Sequence, residues 1–200
     1  MHRQPPSLGA QWAAARCWVR ERLAARIGES PAAVDVTLGA SGRPMFGHPR
    51  MPHDLDVNVA HTDGVLVLVL ARRRVGVDVE ELPPAGEDLI GLAEVVATPA
   101  ELDELRGLDE GIRPAAFQRW WVRKEAVLKA EGTGFLTDPR AVHVGITVVA
   151  PPAPWVVHDL GLLPGPGRPA LAVAIEGDTR DDHRHTIVVF RPPMRSLHLP

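Results

Sequence analysis

Apolar residues recur with the spacing of an α-helix in several parts of the chain. In residues 10–27 the side chains of Ala14, Trp18, Leu23 and Ile27 follow this spacing, and charged residues fall on the other faces. Three further segments are predicted to be helical, namely residues 88–97, 99–106 and 114–130. Thr98 and Glu101 provide an N-cap for the second of these, with a proline at its first position.

Runs of strand-forming residues lie between and after the predicted helices. They cover residues 34–38, 56–60, 65–70, 75–80, 142–149, 155–160, 170–176 and 185–190. Residues 65–70 are continuously apolar, which is typical of a strand buried on both faces. With the basic turn at residues 72–74 and the run at 75–80 they predict a β-hairpin, and residues 168–190 predict a similar hairpin near the end.

The two halves of the chain are alike in plan, because each begins with helix and ends in a predicted hairpin. This pattern predicts an α+β fold of two similar, pseudo-symmetric lobes, each a small and mostly antiparallel sheet with a packed helix. Prolines and a glycine at residues 83–86 place the division between residues 1–86 and residues 87–200. Ligands often bind between two such lobes, so we expect the site there.

Composition narrows the class of protein. The 200 residues are 45% hydrophobic and 24% charged, as in ordinary soluble domains. A formal net charge of -3 gives no basic field for nucleic acid, and the apolar run at residues 64–71 is too short to span a membrane. A single cysteine, Cys17, excludes an intramolecular disulfide framework, and we expect it to be a buried thiol. With no apolar signal sequence at the first residues, we expect a cytoplasmic protein.

The segment Gly76-Val-Asp-Val-Glu80 presents two carboxylates on one face of a predicted strand. Asp78 and Glu80 repel each other unless a cation lies between them, and oxygen ligands favour Mg²⁺, Mn²⁺ or Ca²⁺. The alternative is a solvated strand edge with two ordinary acids. Asp54 and Asp56 have the same spacing and are alternative candidates for binding the cation. They lie in a predicted loop that contains proline and histidine.

The strongest predicted helix carries Trp121, Glu125 and Lys129 on one face. A carboxylate one turn from an ammonium and beside a tryptophan is neither an apolar core face nor an ordinary surface. The alternative is a surface Glu–Lys pair with the tryptophan in the core. Three weaker candidates for binding phosphate lie earlier in the chain, namely His61, Thr62 and Arg43, although each also suits a simple turn.

In their order along the chain, these motifs are specific. The series GRP, NxxHT, GVDVE and WxxKEAxxKxxG, from Gly42 to Phe135, closely resembles the Sfp-type 4′-phosphopantetheinyl transferases. The resemblance implies the two-lobed α+β fold and transfer of the phosphopantetheine arm of coenzyme A to a serine of an acyl or peptidyl carrier protein, with release of 3′,5′-ADP. Two positions depart from the usual pattern: Ala60 stands where a serine is frequent, and Arg43 replaces a lysine.

The same resemblance implies roles for individual residues. Asp78, Glu80 and Glu125 would bind Mg²⁺, with Mn²⁺ as an alternative. Glu125 would be the general base, or a ligand, or both. The phosphates of coenzyme A would be bound by His61, Thr62, Lys124 and Lys129, with Arg43 near the 3′-phosphate of the adenine nucleotide; Lys129 and His61 would also assist catalysis.

The partner surface is less defined by the sequence. Carrier proteins are generally acidic, so the basic turn at residues 72–74 or the arginines Arg113, Arg119 and Arg123 are candidates for docking. We expect no nucleic acid or membrane partner and a monomer that is a pseudo-dimer. Two other functions stay open: a non-catalytic module that binds coenzyme A or a carrier protein, and another Mg²⁺-dependent enzyme that cleaves phosphate esters.

Overall fold

The computed structural model describes residues 8–39, 43–62, 65–133, 137–163, 168–177 and 185–190. Helices and antiparallel strands share this part of the chain, which confirms the α+β class. In chain order the elements are α1 (Leu8–Ile27), β1 (Asp35–Leu38), β2 (Pro44–Gly47), β3 (Asp56–Thr62), β4 (Val65–Ala71), β5 (Val75–Glu80), α2 (Leu89–Val96), α3 (Pro99–Gly107), α4 (Arg113–Glu131), β6 (Trp155–Leu162), β7 (Ala170–Glu176) and β8 (His185–Phe190).

Some strands pair across the two halves of the chain, so neither half keeps all of its strands in one sheet. Strands β1 and β2 form a two-stranded ribbon, and two three-stranded sheets have the orders β3-β4-β8 and β5-β7-β6. Strand β5 therefore pairs with β7 and not with β4, while β8 pairs with β4 and not with β7. Both predicted hairpins were wrong, because each three-stranded sheet takes one strand from the other half. The division after residue 86 stays a prediction.

Alternating side chains of β4 explain how the layers stack. Leu66, Leu68 and Leu70 share a cluster with Trp18, Val19 and Leu23 of α1. The opposite face of β4 presents Val65, Val67 and Val69 to Val75, Val77 and Val79 of β5. Helix α4 covers the other face of the β5-β7-β6 sheet. The layers therefore run helix, sheet, sheet, helix, and β4 is buried on both faces as its apolar run predicts.

Side chains of β3 cover the edge of β5 that faces away from β7. The backbone N–H of Val75 donates to Asp56 Oδ2 at 2.8 Å, and that of Val77 donates to Asn58 Oδ1 at 3.0 Å. Each bond satisfies a backbone N–H that would otherwise be unpaired at an open strand edge. The two sheets are thus joined at this edge by polar side chains of β3, which fixes β5 beside β3.

The predicted strand at residues 142–149 is absent from the structure, which has a 3₁₀ turn at Pro139–Ala141 followed by irregular chain. The backbone N–H groups of this segment bond to carboxylates of α3 and not to a neighbouring strand. Val144 N–H donates to Glu101, and Ile146 and Thr147 N–H donate to Glu104. The predicted N-cap of α3 is confirmed, since Thr98 and Glu101 form a reciprocal capping box.

Two further observations bear on the expectations from composition. Cys17 is exposed on α1, so the expectation of a buried thiol was wrong. Across the described residues, the structure contains no helix with the length and hydropathy needed to cross a membrane.

Candidate functional site

Strand β5 and helix α4 approach each other unusually closely at Gly76. A Cβ atom at this position would lie 2.0 Å from the carbonyl oxygen of Ala126 and 2.4 Å from the amide nitrogen of Ala130. Only glycine fits this contact, and the two facing residues of α4 are themselves small and fully buried. The close approach places the next residues on the same face of β5 directly beside α4.

Those next residues are Asp78 and Glu80, and they meet Glu125 and Lys129 of α4. The ammonium nitrogen of Lys129 lies 2.5 Å from Asp78 Oδ1. Period-two alternation along β5 explains the arrangement, since Val77 and Val79 point into the core between the sheets and leave the acids on the helix side. We refer to Asp78, Glu80, Glu125 and Lys129 as the junction cluster.

The three acids of the junction cluster carry pKa values above their ordinary ranges. Burial raises the pKa of Asp78, which is only 3% exposed, despite the opposing charge of Lys129. Burial and the charge of Asp78 raise the pKa of Glu80 to about 7, and they also raise that of Glu125. Burial alone would lower the pKa of Lys129, but the charges of the three acids outweigh it and raise that pKa. The cluster therefore has more negative charge than one ammonium can neutralise.

This surplus of acid fits a divalent cation in its chemistry. Oxygen ligands from a few carboxylates are what Mg²⁺ takes from a protein when phosphate oxygens and water complete its shell. Asp78 Oδ2 is buried and forms no hydrogen bond with any residue that the structure describes, so it has an acceptor available for a cation. Within the described ranges, no three acidic, histidine or cysteine side chains are arranged as a metal-binding group.

His61 and Thr62 lie at the end of β3, where the strand runs towards this cluster. Burial, and then the charge of Lys129, lower the pKa of the half-buried His61 imidazole. The histidine is therefore neutral at pH 7 and can act through a hydrogen bond rather than through a charge. Thr62 is half-buried and pairs with Val65 in the β3–β4 ladder.

Arg43 is not part of the junction cluster. Its guanidinium donates to the carbonyl oxygens of Val57, Val75 and Lys129, at 2.9 to 3.1 Å, and forms an ion pair with Asp56. The side chain is 16% exposed. Protein acceptors thus bond both Nη groups, while Nε is buried without a partner among the described residues.

Lys124 lies away from the cluster as well, on the opposite face of α4. Its side chain is 0% exposed and its ammonium donates to Glu101 Oε2 at 2.8 Å. Three carbonyl oxygens complete its contacts, those of Val96, Pro139 and Val142. This placement gives no support to a role in binding pyrophosphate, and we leave Lys124 out of the proposed site.

The structure also explains the two competing acids, Asp54 in the β2–β3 loop and Asp56 at the start of β3. Asp56 is paired with Arg43 and accepts from the backbone of β5, whereas Asp54 is paired with Arg72 at the surface. Neither belongs to the junction cluster. Of the two pairs of acids with this spacing, only Asp78 and Glu80 face α4.

The region that contains the junction cluster also matches a known family. Residues 74–155 match the model described as the 4′-phosphopantetheinyl transferase superfamily. A curated relative, the 4′-phosphopantetheinyl transferase HetI of Nostoc sp. (strain PCC 7120), is 30% identical over 147 residues, which are 73% of this chain and 61% of the relative. Residues 74–155 therefore carry a domain of the 4′-phosphopantetheinyl transferase superfamily.

Two other relatives match shorter stretches of this chain. A 4′-phosphopantetheinyl transferase of Bacillus subtilis is 25% identical over 116 residues, and a putative one of Haemophilus influenzae is 32% identical over 108 residues. These matches cover 58% and 52% of this chain. The chain spans 61% of the length of the Nostoc protein and 49% of that of the Bacillus protein.

A solved structure gives a weaker likeness. A holo-(acyl-carrier-protein) synthase from Bacillus anthracis, in complex with coenzyme A (3′,5′-ADP), aligns with a TM-score of 0.40 and 23% identity. The alignment covers 52% of this chain and 96% of that one. A likeness of this size does not by itself establish a common fold.

The superfamily match includes some of the candidate residues and not others. It contains the whole junction cluster, whereas Arg43, His61 and Thr62 lie before its first residue. The structure gives three residues roles that the sequence did not suggest. Gly76 was quoted only as part of the GVDVE motif and Arg74 only as part of the basic turn, whereas Glu101 was expected only to cap α3 and also pairs with Lys124. The helical period could have revealed one related feature, because it places Lys124 on the face of the buried Trp120 and Leu128.

Gly76→Ala is expected to disturb both stability and the site, because its methyl group would overlap the backbone of α4. We expect the free energy of unfolding to fall by about 1–3 kcal/mol. Displacement of the acids by even ~1 Å should lower any activity that depends on them by about 100-fold. Urea unfolding measures the first effect, and the carrier-modification assay described below measures the second. Gly111→Ala is the control, since a Cβ there meets no atom within 4 Å; equal behaviour of the two variants would contradict the close-contact account.

The raised pKa of Glu80 makes the metal-free protein less stable as pH rises. An unfolded glutamate loses its proton near pH 4.5, whereas folded Glu80 keeps it to about 7, so the folded state binds more protons in this window. The free energy of unfolding should therefore fall between these pH values because of Glu80, by less than the ~3 kcal/mol of an unscreened group, since solvent screens this partly exposed carboxylate. Urea unfolding in EDTA at several pH values should show a shallower fall in Glu80→Gln, and an unchanged slope in that variant would refute the assignment.

Proposed function

We propose that the chain is an Sfp-type 4′-phosphopantetheinyl transferase, which moves the phosphopantetheine arm of coenzyme A to a serine of an acyl or peptidyl carrier protein. One observation carries the proposal: the acids of β5 and the Glu125–Lys129 pair of α4 meet in a partly enclosed cluster. A surplus of buried acid is costly in a protein unless a cation offsets it. In a Mg²⁺-dependent reaction on a diphosphate, the surplus carboxylates would bind the cation.

In this proposal Asp78, Glu80 and Glu125 hold Mg²⁺, with Mn²⁺ as an alternative. The unpartnered Asp78 Oδ2 and the mutually raised pKa values of the acids support this ligand set. Bound Mg²⁺ would neutralise charge on the diphosphate and stabilise the departing phosphate. Lys129 keeps its positive charge, since its pKa is raised, and can offset phosphate charge beside Asp78.

Glu125 is our candidate for the general base. The carrier serine oxygen attacks the β-phosphorus of coenzyme A, the bond from that phosphorus to the bridging oxygen breaks, and 3′,5′-ADP leaves with that oxygen. The hydroxyl proton must pass to an acceptor, and a carboxylate with a raised pKa is a better acceptor near neutral pH than an ordinary one. Glu125 is half-buried on the face of α4 that presents Lys129.

His61 and Thr62 are proposed to bind phosphate oxygens from the end of β3. The imidazole of His61 is neutral, so its N–H donates a hydrogen bond without adding charge. The hydroxyl of Thr62 is a second donor at the same strand end. Carrier-protein docking, action as a monomer and a cytoplasmic location remain parts of this proposal, as does the absence of nucleic acid or membrane partners.

Intact mass measurement of apo carrier proteins tests the proposal. The protein is incubated with coenzyme A, Mg²⁺ and a panel of apo carrier proteins from fatty acid, polyketide and non-ribosomal peptide systems. We expect at least one carrier to gain the mass of one phosphopantetheine. Loss of coenzyme A with no carrier gaining mass would instead indicate a phosphoester-cleaving enzyme. Binding of coenzyme A with no chemical change would indicate a non-catalytic module.

A further inference from the structure

The last turn of α4 is held by two arginines from the first half of the chain. The final carbonyl groups of a helix have no partner within it and need donors from elsewhere. Arg43 donates to the carbonyl of Lys129 at 2.9 Å. Arg74 donates to the next two carbonyls, those of Ala130 at 3.1 Å and Glu131 at 2.6 Å. Positive charge at this end of a helix is also favoured by the helix dipole.

Arg43 connects this helix end to two strands at once. Its Nη2 group donates to both carboxylate oxygens of Asp56 and to the carbonyls of Val57 and Val75, while Nη1 bonds the helix. Strands β3 and β5 and helix α4 therefore share one guanidinium. The planar fork of arginine can serve these acceptors together, whereas a lysine ammonium cannot reach all of them.

Arg74 makes the second connection from the residue that immediately precedes β5. Its guanidinium lies 5.0 Å from the ring centroid of Trp155, at the start of β6. The backbone carbonyl of Arg74 accepts from Glu176 of β7 at 2.9 Å. The arginine is thus fixed to the sheet through its backbone and to the end of α4 through its side chain.

The contacts of the two arginines reach the junction cluster through Lys129. Its carbonyl is bonded to Arg43 and its ammonium to Asp78, so one residue joins the held helix end to the junction cluster. We propose that Arg43 and Arg74 are positioning residues that fix the last turn of α4 on β5, so that Lys129 and Glu125 meet Asp78 and Glu80. This inference rests on the proposed function for its effect on catalysis, and it assigns Arg43 to the fold rather than to the 3′-phosphate of coenzyme A.

Hydrogen exchange of the end of α4 tests the positioning directly and needs no activity. The variants are Arg43→Met, Arg43→Lys and Arg74→Met, with Arg106→Met as control, since Arg106 lies in a surface ion pair with Glu94. We expect faster exchange at residues 128–133 in both Met variants, an intermediate effect in Arg43→Lys, and none in the control. Unchanged exchange at these residues in Arg43→Met and Arg74→Met would overturn the inference.

A comparison of coenzyme A with 3′-dephospho-coenzyme A separates positioning from phosphate binding. If Arg43 binds the 3′-phosphate, Arg43→Met should bind the two ligands with nearly equal affinity. In our account the ratio of the two dissociation constants stays as in the unmodified protein, and kcat for carrier modification falls by about 10- to 100-fold. A collapsed ratio would overturn the assignment of Arg43, as would an unchanged kcat.

A failure of the proposed function can be distinguished from a failure of the positioning role. If the unmodified protein modifies no carrier in the panel, the proposed function fails, while exchange at residues 128–133 still decides whether the arginines hold the helix end. If the unmodified protein is active and the exchange pattern and affinity ratio contradict our expectations, the function stands and the positioning role is wrong.

Discussion

Asp78→Asn is expected to abolish phosphopantetheine transfer while leaving the fold intact. Asparagine has nearly the same shape but removes the charge that Lys129 contacts and the oxygen that we assign to Mg²⁺. Loss of one group that stabilises the transition state electrostatically costs about 10²- to 10³-fold, and a metal ligand should cost at least this much. Intact mass of the carrier over time gives the rate.

Stability should change little in this variant, because the charges of Glu125 and Glu80 remain to balance the Lys129 ammonium. Circular dichroism and thermal unfolding check this point. Asp54→Asn is the matched control, since Asp54 has the same spacing to a second aspartate but lies at the surface in a pair with Arg72. Transfer within threefold of the unmodified rate in Asp78→Asn, or an equal loss in Asp54→Asn, would show that the site is elsewhere.

Lys124→Met is expected to lower the free energy of unfolding by about 3–5 kcal/mol, because it leaves the buried carboxylate of Glu101 without its counter-charge. Burial alone would raise the pKa of Glu101, but the Lys124 ammonium and the N–H groups of Val144 and Thr98 lower it to about 2. Glu101 therefore stays ionised at neutral pH. Three carbonyl groups lose their donor in the same variant.

Urea unfolding at pH 7 measures this loss, with Arg140→Met as control. Arg140 forms an exposed pair with Asp138, and such pairs contribute only about 0–1 kcal/mol. At temperatures where Lys124→Met is folded, its affinity for coenzyme A should equal that of the unmodified protein. A variant of unchanged stability but much weaker coenzyme A binding would restore the pyrophosphate role that the sequence suggested for Lys124.

Local signals predicted the elements well because they depend on neighbouring residues. Local patterns located the four α-helices of the described residues, and the Thr98–Glu101 capping box marked the start of α3. The same period placed Glu125 and Lys129 on one face, and period-two alternation placed Asp78 with Glu80. In the structure Lys129 contacts Asp78, and the charges of Glu80 and Glu125 act on both, whereas a shared metal site stays a prediction.

Pairing between strands was predicted wrongly because it is decided by distant residues. A short turn at residues 72–74 favours a hairpin locally, but β5 forms its ladder with β7, almost a hundred positions away. The apolar run at residues 142–149 is typical of a strand, yet its N–H groups find Glu101 and Glu104. Sequence patterns do not reveal such long-range side-chain partners.

Two basic residues with protein partners in the structure illustrate the same limit. Lys124 and Arg43 were assigned to phosphates because the resemblance to the family implied it. In the structure, one is enclosed with Glu101 and the other is bonded to Asp56 and three backbone carbonyls. A cation that serves backbone acceptors has the same sequence signature as one that serves a ligand.

The central claim is that Asp78, Glu80 and Glu125 bind one divalent ion together with the diphosphate of coenzyme A. Anomalous diffraction from crystals grown with Mn²⁺ and coenzyme A tests it most directly. We predict one strong manganese peak within bonding distance of oxygens from all three residues and of the diphosphate. A manganese peak bonded to the diphosphate but to none of these carboxylates, or a diphosphate bound away from β5 and α4, would contradict the account.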